Sequence, residues 1–123
     1  KHKMDSEQMF VTAEACEKVN KAKAEGHKVC AVGTSVMRAI ETAVGADGNL
    51  KEFDGWTNKF IFPPYEFSLA DAMISNFHMP LSTMLMLVCS YGGYEFVMDA
   101  YQTALKEDYR FGTYGDAMLI LEK

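Results

Sequence analysis

Short apolar runs that stop at glycine or at a polar cluster, each leading into a stretch of helical period, constrain this chain more than any other feature. Val29-Cys30-Ala31-Val32 is such a run: branched residues ending at Gly33 predict a buried strand entering a turn. Thr34 or Ser35 is placed to cap a helix from about Val36 to Val44, which the Gly45-Ala46-Asp47-Gly48-Asn49 cluster ends. Upstream, Thr12 is a natural N-cap for a helix from about Ala13 to Glu25, and Gly26 can stop it in the left-handed conformation. Downstream, Ala72 to Phe77 reads as a second buried strand. It leads to a helix from about Leu81 to Tyr91 that is apolar on nearly every side and so should lie inside a domain. Gly92-Gly93 separates this from an amphipathic helix of about Glu95 to Asp108, and Ala117 to Leu121 closes the pattern as a last strand. Between the halves, Gly55-Trp56-Thr57 suggests a loop and Lys59-Phe60-Ile61-Phe62 a short strand ended by Pro63-Pro64. Strands alternating with helices predict the α/β class, with a mostly parallel sheet flanked by helices.

The 123 residues fit one domain, and 49% hydrophobic with 24% charged residues is enough to build a core. Seventeen acidic against twelve basic residues give a net charge of -5, which excludes an overall basic field for nucleic acid and leaves only local contacts. Cys16, Cys30 and Cys89 show no CxxC spacing, so neither a disulfide framework nor a zinc site is supported, and a reducing cytoplasm is expected. The Met84-to-Cys89 run is too short and interrupted for a membrane span. The nine methionines read as adaptable core filler, and the lysines between positions 18 and 28, interspersed with glutamates, as a solvated helix face. The chain starts with Lys1, which is read as a piece of something longer.

Four stretches can carry chemistry. In Gly33-Thr34-Ser35-Val36-Met37-Arg38, free N–H groups and the helix dipole suit a phosphate or carboxylate, with hydroxyls at Thr34 and Ser35 as further donors. Arg38 opposes the dipole, so it implies either a bound anion or a local pair with Glu41. The bland reading is a capping hydroxyl plus that ion pair. Neither GxxxxGK[ST] nor GxGxxG is present. The stretch from Ser75 to Thr83 packs Asn76, His78, Ser82 and Thr83 beyond a strand end, where open α/β sheets bind ligands. His78 can act as acid or base near neutral pH, or serve structurally. In Tyr109 to Asp116, aromatic faces can stack on a base or ribose, Arg110 can pair with phosphate, and Asp116 can accept from ribose or act as a base. The alternative there is an aromatic plug with a turn-forming Asp116. His2 to Glu7 gathers His, Asp, Ser and Glu, which on spacing alone defines no metal site.

Taken together, these segments resemble the carboxyl-terminal part of the S-adenosylmethionine:tRNA ribosyltransferase-isomerase family of queuosine biosynthesis. Ser75 to Val88 resembles the family's TNFHLPxSTLLMLV, and Tyr109 to Ile120 resembles YRFxSYGDAMLI. Ala31 to Arg38 is similar to AVGTTSVR, Gly55-Trp56-Thr57 is followed in order by Phe60 to Pro63, and His2 to Glu7 is similar to HTMHSE with Asp5 in place of the second His. The Asp5 departure makes Glu7 the member of that motif retained as a site residue.

The resemblance implies that residues 1–123 are the closing portion of a larger α/β domain whose inserted β-barrel is absent here. It implies transfer of the ribosyl moiety of S-adenosylmethionine to 7-aminomethyl-7-deazaguanine at the tRNA wobble position, giving epoxyqueuosine and releasing adenine and methionine. S-adenosylmethionine is then a co-substrate, with no cofactor, metal or membrane, and this portion alone should be inactive. Within that chemistry His78 and Asp116 are assigned acid/base roles, exchangeable between them. Thr34, Ser35 and Arg38 would hold a carboxylate or phosphate, Asn76, Ser82 and Thr83 would position ribose or base edges, and Tyr114 would stack on a base. The rival class is a non-catalytic α/β module that binds a nucleotide or a partner.

Overall fold

A computed structural model describes residues 6–79, 82–112 and 114–121. In chain order the elements are β1 (Glu7–Val11), α1 (Ala13–Ala24), β2 (Cys30–Val32), α2 (Thr34–Ala43), β3 (Phe53–Thr57), β4 (Ala72–Asn76), α3 (Thr83–Gly92), α4 (Tyr94–Lys106) and β5 (Ala117–Leu121). The α/β class stands. The predicted helix start at Leu81 and the His2-to-Asp5 part of the first motif fall outside the described residues.

The sheet is mixed. In the three-stranded sheet β2-β4-β5, β2 runs parallel to β4 but β5 runs antiparallel to it. The mostly parallel expectation holds for the β2–β4 crossover alone, because the chain returns from α4 to the far edge of β4 in the opposite sense. β1 and β3 form a separate antiparallel ribbon with Glu7 opposite Thr57 and Val11 opposite Phe53. Here sequence reading errs twice: Gly55-Trp56-Thr57 is strand, not loop, and Lys59 to Phe62 is not strand. Gly55 masks an alternation in which Phe53 and Thr57 turn inward and Asp54 and Trp56 outward, and the pairing partner lies far away in sequence.

Local signals explain most ends. The Thr12 hydroxyl accepts from Ala15 N at 3.1 Å, as a helix cap should. Gly26 takes φ 80 after α1, while His27 N donates to Ala22 O at 2.9 Å. Two helices start on a glycine with no side-chain cap, α4 at Gly93 and α2 at Gly33; in α2, Thr34 is already inside the helix and buried. The capping expectation for Thr34 or Ser35 therefore fails, and the turn is made by a glycine at φ 104, a conformation a side chain would resist.

The core runs through one face of the three-stranded sheet. Ala31, Met73 and Ile120 are buried there together with Met37, Leu87, Val88, Cys89, Val97 and Tyr101 from the helices. Val32, Leu119 and Leu121 on the opposite face are exposed. Asp71 ties the entrances of β2 and β4, its carboxylate accepting from Val29 N at 2.8 Å while its own N–H donates to Val29 O at 2.7 Å.

Candidate active site at the strand ends

Hydrogen bonding and sheet register bring three of the four candidate stretches, the turn that opens α2 among them, to one edge. Gly33 N donates to Ile74 O at 2.8 Å, which sets the start of α2 beside the end of β4. Asn76 faces Ala117 across the β4–β5 ladder, so the residues that follow β4 and those that precede β5 are neighbours. The Asn76 amide donates to Asp116 O at 3.2 Å, and Gly112 N donates to Phe77 O at 2.9 Å. Asp116 is exposed; its carboxylate accepts from Arg110 N at 2.8 Å and its N–H donates to Arg110 O at 2.8 Å, closing the turn into a ring.

The aromatic turn divides between the two readings given above. Tyr109 and Phe111 pack on Phe77 with ring centres 5.8 and 5.2 Å away, and Phe77 also meets Tyr101, so these rings are a plug. Tyr114 instead is fully exposed and Arg110 is exposed too, which leaves both available to a ligand.

His78 sits half-buried just past β4. Its Nε2 lies 2.9 Å from the Ser75 hydroxyl, and its backbone N–H donates to the Tyr101 hydroxyl at 2.9 Å. Burial disfavours the imidazolium and lowers its pKa below the usual 6.5, so the ring is neutral at physiological pH. Ser75 and Tyr101 carry no site signal of their own in the sequence: Ser75 sits in the period of a buried strand and Tyr101 in the apolar face of a helix. Ser82 N-caps α3, accepting from Leu85 N at 3.1 Å, and Thr83 opens that helix half-buried. Ser35 is exposed at the start of α2.

Arg38 is used differently. It is 5% exposed, and its Nη1 donates to Glu7 at 2.6 Å while Nε donates to Lys59 O at 3.3 Å. The expected local pair with Glu41 does not form, because Glu41 accepts from the Tyr65 hydroxyl at 3.0 Å and from Ser68 N at 2.9 Å. A partner 31 residues away carried no sequence signal. The second guanidinium nitrogen, Nη2, is buried without an acceptor among the described residues. Glu7 itself is half-exposed.

A cavity of about 440 Å³ lies elsewhere, lined by Tyr65, Phe67, Tyr91 and Phe96 near Leu121, which pairs with Ala72 at the opposite end of β4. It holds none of the candidate residues. Among the described residues no cluster of three or more His, Cys, Asp or Glu is arranged to hold a metal, and no helix is long and apolar enough to cross a membrane.

Asn76 and His78 thus lie at and beyond the carboxyl end of β4, the position at which open α/β sheets usually bind their ligands. Comparison with known proteins makes this specific. A family profile described as "Queuosine biosynthesis protein" matches residues 1–120, and the chain belongs to that family. It is 76% identical over 123 residues to the S-adenosylmethionine:tRNA ribosyltransferase-isomerase of Phocaeicola vulgatus, covering all of this chain and 35% of the relative. Identity is 54% over 121 residues to the protein of that name in Flavobacterium psychrophilum, covering 98% of this chain and 35% of the relative. The crystal structure of S-adenosylmethionine tRNA ribosyltransferase from Thermotoga maritima superposes with a TM-score of 0.85 at 46% identity, over 91% of this chain and 39% of that one. The chain thus spans about a third of the length of these curated relatives.

Proposed function

We propose that this chain supplies the rim of a cytoplasmic enzyme that transfers the ribosyl moiety of S-adenosylmethionine to 7-aminomethyl-7-deazaguanine in tRNA, with release of adenine and methionine. The observation that carries the reading is the Asn76–Ala117 pairing, which puts His78 and Asp116 at one sheet edge within a chain of this family. Removing a proton beside a sulfonium needs a base, and a neutral half-buried imidazole suits that task. Asp116, exposed and pinned by Arg110 N, is placed to relay a proton toward the departing adenine. Asn76, Ser82 and Thr83 would offer polar groups to ribose, while Tyr114 would offer a ring for stacking on a base lifted from the anticodon loop. The N–H groups of Thr34 and Ser35 would receive an anionic group at the start of α2, and Arg38, whose charge is paired with Glu7, would offer the Nη2 donor that has no acceptor among the described residues.

The test is adenine release from S-adenosylmethionine, with tRNA bearing the modified guanine, by the Phocaeicola vulgatus relative after its matching region is replaced by this chain. The chimera should turn over, and His78→Asn or Asp116→Asn should each cost about a hundredfold or more, the usual worth of an acid or base. Variants with unchanged release would overturn the assignment. Binding of S-adenosylmethionine with no release by the unsubstituted chimera would favour the non-catalytic module. The 123-residue chain alone should release none.

A further inference from the structure

The Ser75 hydroxyl stands between two groups at equal distance. It lies 2.9 Å from Asn76 O and 2.9 Å from His78 Nε2, and Ser75 is 2% exposed, so bulk water takes no part. A hydroxyl has one proton to donate, and a carbonyl oxygen can only accept. If that proton went to Nε2, two oxygens would face each other at 2.9 Å with no hydrogen between them. The arrangement that satisfies every atom is a relay in which Nε2–H donates to Ser75 Oγ and Oγ–H donates to Asn76 O, each bond polarising the next.

We propose that Ser75 is a positioning residue that locks His78 in the Nε2–H tautomer, leaving Nδ1 as the ring nitrogen that accepts a proton. No partner for Nδ1 occurs among the described residues, and the Tyr101 hydroxyl, by accepting from His78 N, fixes the backbone that carries the ring. On this reading the base of the proposed reaction is one atom: His78 receives the proton at Nδ1, and the imidazolium that results keeps its Nε2–H on Ser75. That use of Nδ1 rests on the ribosyl-transfer reading above; the tautomer itself does not.

Long-range proton–nitrogen NMR of the chain labelled with nitrogen-15 in histidine reads the tautomer directly, with the His78 signals identified by their loss in His78→Asn. At pH 8 the expected spectrum shows Nε2 protonated and Nδ1 bare in a single species, retained in Ser75→Thr and replaced by a mixture in Ser75→Ala. A proton on Nδ1 in the unsubstituted chain, or an unaltered pattern in Ser75→Ala, would overturn the proposal; the first reading stands even if Ser75→Ala does not fold. In the chimera, Ser75→Ala should lower kcat for adenine release about tenfold with KM unchanged, because it weakens a bond that becomes charge-assisted when the ring is protonated, and Ser75→Thr should restore it. An inactive unsubstituted chimera whose His78 shows the stated tautomer would defeat the reaction reading and leave the Ser75 assignment intact.

Discussion

Gly115→Ala should disturb the candidate site more than its size suggests. A Cβ built on Gly115 would stand 2.4 Å from Arg110 O, 2.7 Å from Arg110 C and 2.9 Å from Phe111 O. All three are backbone atoms, so no side-chain rotation relieves the clash and the Arg110–Asp116 turn must open. Opening it loses the hydrogen bonds from Gly115 N to Gly112 O, from Asp116 N to Arg110 O and from Arg110 N to the Asp116 carboxylate. At about 1 kcal/mol net each, the loss is roughly 3 kcal/mol, somewhat less where exposed groups regain water. With a slope of about 1.5 kcal/mol per molar urea, the midpoint falls by about 2 M. Asp116→Ala, which removes one of the three bonds, should cost only about 1 kcal/mol by the same reckoning. Urea titration followed by circular dichroism compares the three proteins. A Gly115→Ala protein within about 0.5 kcal/mol of the unsubstituted chain, the usual range for a neutral surface change, would refute the argument.

Three other substitutions follow from the same geometry. Arg38→Met should change stability by no more than about 1 kcal/mol in either direction, since it discards an ion pair together with an unsatisfied buried nitrogen, yet weaken S-adenosylmethionine or tRNA binding to the chimera at least about tenfold; urea midpoints and calorimetry read the two effects. Because the His78 pKa is lowered in the fold, the unfolded chain binds the proton first: stability attributable to the neutral ring is complete above pH of about 6.5 and is lost as pH falls below it. The difference in urea midpoint between the unsubstituted chain and His78→Asn should therefore shift against the former between pH 7.5 and about 5.5, and a constant difference would contradict it. Met73→Ala, in the middle strand and fully buried, should cost about 2 to 5 kcal/mol in the same titration.

Legibility in the sequence tracks how local the physics is. Thr12 at the head of α1, Gly26 after it and Ala117–Leu121 as strand were readable because capping, left-handed glycine and a short apolar run each act within a few residues. The β1–β3 ribbon was not, because its alternation is broken at Gly55 and its stability comes from a partner about 45 residues away. Arg38 shows the same limit: its sequence neighbour Glu41 was the obvious partner, and Glu7 won because Tyr65 and Ser68 had engaged Glu41. His78 and Asp116 could be picked out by residue type and by resemblance, but their common edge depends on the antiparallel register of β5, which sequence reading did not anticipate.

Amide NMR during titration of the chain with S-adenosylmethionine examines the shared edge most directly. If the turn after β2, the residues after β4 and the turn before β5 surround one ligand, the signals of Ser35, His78 and Asp116 should move together along a single binding curve. Movement confined to the aromatic cavity at the far end of β4, or spread without a common curve, would contradict the account.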